Sequence, residues 1–139
     1  MLLSHKRQLN MKNTTWILLL VFGFLSCSNS AKHELIGKWE IEGILMDPVG
    51  GATEFNNANS GKTIEFKEDG TFASNGFTCG AFDGTGKPHH GVFDLEKKTV
   101  FTNNCKVKTQ NTSFEIKEGK LLIHFECVEQ CIEKYKKIE

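Results

Sequence analysis

The chain has 139 residues, and its 17 Lys and Arg balance its 17 Asp and Glu to a net charge of zero. That length holds one ordinary domain, and the charge balance argues against nucleic-acid binding, which needs a basic face. A domain of this size can bury a core but gains from covalent staples, so its five cysteines bear directly on how it is built.

Residues Met1 to Lys12 carry His5, Lys6, Arg7 and Lys12 and no acid, and the run Trp16 to Leu25 is uncharged. A basic start, an apolar run and a small residue before a cut describe a secretory signal peptide. The run is shorter than the roughly 20 residues a spanning helix needs. Met11 followed by Lys12 would open such a peptide equally well, so both starts stay open. Leu25-Ser26 before Cys27 resembles a bacterial lipobox, with Phe24 where Leu is usual. The resemblance implies that Cys27 is lipidated, with palmitate-type acyl chains, and becomes the first residue of the mature protein. Several acyl chains anchor stably where one is marginal. The alternative is a plain signal peptide cut between Ser26 and Asn29, with Cys27 an incidental thiol. The expected organisation is therefore a signal peptide over 1–26, a lipidated cysteine and polar tether over 27–34, and a folded domain over 35–139. The expected location is the bacterial cell envelope, on the periplasmic face or the cell surface. Cleavage removes Lys6, Arg7 and Lys12 and no acid, leaving 14 basic and 17 acidic residues and a charge of −3. It also leaves Cys79, Cys105, Cys127 and Cys131 as an even set in an exported chain, which points to two disulfides with three possible pairings.

From Glu34 the chain reads as eight strands with no helix. In Glu34 to Met46, Leu35, Gly37, Trp39, Ile41, Gly43 and Leu45 share one face, and Lys38, Glu40 and Glu42 the other. This period of two marks a half-buried strand. The next strands are Lys62–Lys67, Thr71–Asn75, Gly91–Leu95, Lys98–Thr102, Ser113–Lys117, Lys120–Cys127 and Cys131–Ile138. Asp69-Gly70, Glu96-Lys97 and Glu118-Gly119 form tight turns, Asp-Gly being a strong hairpin signal. The connections Asp47–Gly61, Thr78–His90 and Asn103–Asn111 are long and rich in Gly, Asn and Thr. In a meander these alternate connections lie at one end. Eight strands escape exposed edges by closing into a barrel, whose interior is filled by side chains or holds one small ligand.

Strand order gathers all four remaining cysteines at the long-loop rim. The short spacer predicts Cys127 joined to Cys131, and Cys79 to Cys105 follows by remainder. Gly37-x-Trp39 in the first strand, ahead of the other seven, resembles the lipocalin superfamily, and in particular the small lipocalin-like lipoproteins of bacteria. The resemblance implies that Trp39 closes the barrel floor and that a basic residue of the last strand, Lys134, Lys136 or Lys137, stacks on it. A second, lesser resemblance, to META-type lipoproteins, rests on Ser74–Gly84 and Thr102–Cys105. Trp39, Ile41, Ile64, Phe66, Phe72, Phe93, Phe114, Ile116, Ile123 and Phe125 are the expected floor and lumen residues, either as a filled core or as the wall of an open calyx.

No constellation points to catalysis. Glu126, Glu129 and Glu133 near the last turn read as a solvated cluster. His89-His90, near Asp83, reads as part of a rim loop without the converging donors a metal needs, so no metal or cofactor is expected. Cys127 and Cys131 lack the Cys-x-x-Cys redox spacing. The expected function is non-covalent binding of a small hydrophobic ligand by a lipid-anchored, non-enzymatic barrel. The alternative is an envelope inhibitor of the lysozyme or protease type, or a protein-interaction module, acting through the rim loops.

Overall fold

The computed structural model describes residues 27–47, 51, 53–76, 78–81, 84–103, 105, 112–127 and 130–139. The signal-peptide reading of residues 1–26 lies outside them, as do Phe82, Asp83 and Glu129. Among the described residues one helix, α1 (Cys27–Leu35), precedes nine strands: β1 (Gly37–Asp47), β2 (Asn56–Asn57), β3 (Thr63–Phe66), β4 (Thr71–Gly76), β5 (Thr85–Asp94), β6 (Thr99–Thr102), β7 (Thr112–Lys117), β8 (Lys120–Phe125) and β9 (Gln130–Lys137). From β3 onward each strand pairs antiparallel with the next, and β1 pairs with β3 on one side and β9 on the other. The result is the expected closed, eight-stranded antiparallel up-and-down barrel. β2 is an addition that the sequence reading left inside a loop; it pairs only with Gly43 and Ile44 of β1.

The tight turns fall at one end. At Asp69-Gly70 the Lys67 amide donates to the Thr71 carbonyl (2.9 Å), and Asp69 Oδ1 accepts from the Thr71 amide (2.9 Å). Glu118 and Gly119 both have positive φ, 54° and 71°, as a two-residue type I′ hairpin requires. Beside these turns the barrel is filled. The Phe66 ring lies 5.9 Å from Phe72, 5.3 Å from Phe93 and 6.1 Å from Phe114. Trp39, Ile64, Phe66, Phe72 and Leu121 are fully buried around it. Each such side chain contributes about 1.5–3 kcal/mol by leaving water.

The segment read as a polar tether, 27–34, is helical throughout. Ala31, Lys32, Glu34 and Leu35 are good helix formers with no Gly or Pro among them, and Lys32 and His33 sit in the last turn, where cations suit the helix dipole. Leu35 is fully buried, and its carbonyl accepts from Trp39 Nε1 at 2.9 Å. The helix thus caps the floor, with Gly37 between it and the barrel. A side chain at Gly37 would collide with the Glu139 carbonyl, and its φ is 123°, a conformation open to glycine alone at little cost.

Three local readings differ from the structure. β5 begins at Thr85, so His89, His90 and Pro88 lie in a strand instead of a rim loop. Pro88 is accommodated because the β4–β5 register breaks between Ser74 and Gly76, leaving no ladder bond for its missing N–H. A second irregularity between Ile41 and Gly43 shifts the phase of β1. Ile44 then joins the main core opposite Glu133, while Leu45 pairs with Ile132 outside that cluster. Cys131 is opposite Phe125 in the ladder, with Cys127 lying past the end of β8.

Candidate functional site

The expected lumen residues gather inside one barrel. Trp39, Ile41, Ile64, Phe66, Phe72, Phe114, Ile123 and Phe125 belong to its buried apolar cluster, and Phe93 and Ile116 are partly buried against it. Lys137 Nζ stands 5.3 Å from the centre of the Trp39 ring, which selects one lysine from the three on β9. Cys27 opens α1.

Above the aromatic floor the interior becomes polar. Lys62, just before β3, continues the inward phase of Ile64 and Phe66. Its Nζ donates to Glu133 Oε1 at 2.7 Å, and both side chains are fully buried. Tyr135 Oη, also buried, donates to Glu133 Oε2 at 2.5 Å. A buried ion pair is weak evidence for stability, because desolvation offsets its attraction unless further hydrogen bonds satisfy both charges; Tyr135 provides one. The sequence reading placed Glu133 on the solvated surface, and the structure corrects this. Glu133 shares its inward phase on β9 with Cys131 and Tyr135, facing Ile123 on β8 and Ile44 on β1. The usable signal was that period of two, obscured by the charged neighbours Lys134 and Lys136.

A second polar group lies on β4 to β6. Ser74 and His89 face each other across the β4–β5 ladder. The Thr78 amide donates to His89 Nδ1 at 3.3 Å, and Thr102 Oγ1 donates to the Thr78 carbonyl at 3.0 Å. Burial lowers the His89 pKa from its ordinary value, with the positive charges of Lys62, His90 and Lys87 adding to the effect. A neutral ring suits Nδ1 as an acceptor. Two bridges hold the rim: Cys79–Cys105, with Cα atoms 5.6 Å apart, and Cys127–Cys131, with Cα atoms 6.1 Å apart.

On the outer wall a groove of about 510 Å³ is lined by Glu40, Glu42, Asn57, Asn59 and Lys136, among others. Its acids are already engaged, Glu40 with Lys136 at 2.9 Å and Glu42 with Lys120 at 2.7 Å. This polar groove is not the apolar calyx that the sequence suggested.

A closed barrel of eight meandering strands, with Gly37-x-Trp39 at a helix-capped floor and a basic side chain over the tryptophan, is the arrangement that decides the family. The chain belongs to the lipocalin-like domain family, whose model matches residues 35–123. Neither the curated proteins nor the solved structures include a match to it. The match spans the barrel from the floor cap Leu35 to Ile123 of β8. A lipocalin-like barrel suggests small-ligand binding.

Proposed function

We propose that the protein is a lipid-anchored lipoprotein of the bacterial cell envelope whose barrel takes up a small, largely hydrophobic molecule without chemical change. The observation that carries this reading is the division of the lumen. Aromatic rings fill the floor, while Ile44, Ile123 and Phe125 share the space above with Lys62, Glu133, Tyr135 and His89. A ligand entering from the rim would bury apolar surface against the first set, the usual source of affinity in such sites. The second set would orient any polar end. Binding without chemical change fits an interior in which, among the described residues, Lys62 and Tyr135 both bond to Glu133.

The anchor rests on the apolar run and Cys27 in the sequence. α1, starting at Cys27 and ending against the floor, would place the lipid at the closed end and turn the rim away from the membrane. The rim alternative, an inhibitor or interaction module, is supported by the two bridges that stiffen the loops a partner would meet.

With the signal peptide removed, Trp39 is the sole tryptophan. Titration with a lipophilic dye should give saturable binding at micromolar concentration, with quenching of Trp39 emission. A dye that never enters the folded protein sinks the ligand reading and favours the rim alternative. Cys27→Ser should move the protein from the membrane fraction to the soluble one; unchanged partitioning would refute the anchor.

A further inference from the structure

The Cys79–Cys105 bridge has a histidine beside it. His89 Nδ1 lies 3.5 Å from Cys79 Sγ. The two sulfurs and a ring nitrogen of His89 all fall within 4.8 Å of one another, and all three residues are partly buried. In a tetrahedral zinc site a nitrogen and a sulfur ligand stand about 3.6 Å apart and two sulfurs about 3.8 Å. The nitrogen–sulfur spacing is therefore already that of a metal site; the sulfur–sulfur bond, and the hydrogen bond that His89 Nδ1 accepts from the Thr78 amide at 3.3 Å, are what a bound cation would replace. The three ligands differ in how the backbone holds them. His89 is held on β5 opposite Ser74, whereas Cys79 and Cys105 lie outside the strands, so the sulfurs can separate by rotation of their own side chains.

We infer that Cys79, Cys105 and His89 form a reduction-gated site for a thiophilic divalent cation such as Zn²⁺. A dithiol donates two electrons and two protons to the Cys79–Cys105 bond, giving two cysteine thiols and the reductant's own disulfide. The cation then displaces both thiol protons and binds two thiolates and the imidazole, leaving a fourth position for water. In the oxidised protein the sulfurs are bonded to each other and the site does not exist. The inference is independent of the ligand proposed for the lumen, since it concerns the rim and a different chemistry.

The test uses the full chain with Cys27→Ser, Cys127→Ser and Cys131→Ser, so that Cys79 and Cys105 are its only thiols. Co²⁺, a spectroscopic stand-in for Zn²⁺, is titrated into the oxidised and the phosphine-reduced protein. The reduced form should bind one Co²⁺ with a thiolate-to-cobalt charge-transfer band, and Zn²⁺ should bleach it; the oxidised form should show no band. His89→Ala should weaken binding by at least the roughly tenfold that loss of an outer-shell partner costs. Bound metal should also slow alkylation of both thiols, read by peptide mass. Equal binding by the oxidised protein, or unchanged affinity in His89→Ala, overturns the site. Because reduction removes a covalent staple, circular dichroism is recorded alongside. Refolding on addition of Co²⁺ supports the site, and a chain that stays unfolded with Co²⁺ present overturns it.

Discussion

The floor and the rim of this barrel are built on different principles. The floor is apolar, closed by turns of two to four residues and capped by α1, with Leu35, Trp39 and Phe66 all removed from water. The rim half carries a buried ion pair, a histidine, register breaks in β1 and β4–β5, and two disulfides. Apolar packing tolerates few alternatives and stabilises the fold directly. Buried polar groups contribute little net stability but become costly when one partner is removed. The floor is thus where the barrel derives its stability, and the rim is where it places its chemistry.

This contrast can be challenged by mutation. The largest loss is expected from Phe66→Ala, which empties the centre of the aromatic floor. Thermal or denaturant unfolding should show about 3–5 kcal/mol of destabilisation. Glu133→Ala should approach the same range, about 3–5 kcal/mol, because it strands Lys62 in the interior. The double change Lys62→Met with Glu133→Leu should recover most of that loss. If the double variant is as unstable as the single one, the rim half depends on its ion pair for stability and the contrast fails. Gly91→Ala comes next, at about 1–3 kcal/mol of overpacking. The added methyl would collide with the Phe101 carbonyl and meet the Phe72 ring, which tests whether the wall between β5 and β6 can yield.

Acid should act on the outside of the barrel. Hydrogen bonds from Thr71 lower the pKa of Asp69, and those from the Lys97 and Glu96 amides, with Lys97 itself, lower that of Asp94. A depressed carboxylate stabilises the fold above its unfolded pKa, and the contribution is lost as pH falls through the folded value. The midpoint of thermal unfolding should therefore decline below the ordinary aspartate range, and less steeply in Asp69→Asn. The smallest effect belongs to Lys120→Ala, which breaks a half-exposed pair with Glu42 and should cost under about 1 kcal/mol.

Much of the barrel was legible because alternation survives wherever a strand has a dry face and a wet one. β3, β4, β7 and β8 could be read to within a residue or two, and Gly37-x-Trp39 pointed to the floor. Legibility failed where the physics is less local. β5 begins six residues earlier than read because Lys87 and Pro88 interrupt the pattern at a register break that only the partner strand reveals. The fold of α1 is set by what Leu35 plugs. Glu133 looked like surface because a carboxylate normally is, and its burial depends on Lys62, 71 positions away. The lumen's polar half was illegible for the same reason: each member is unremarkable until its partner arrives from another strand.

The seam between β1 and β9 carries a consequence for how the molecule is made. It joins the first strand to the last through eight paired positions, from Trp39↔Lys137 to Asp47↔Gln130, and is fastened at the floor where the Lys38 amide donates to the Glu139 carbonyl at 3.1 Å. Contacts so distant in sequence form late and slow folding. Until Gln130–Lys137 has emerged, β1 and β8 remain open edges, free to pair with other chains. Closure of the ring is therefore the step at which the growing polypeptide ceases to be sticky, and it cannot begin before its final strand is made.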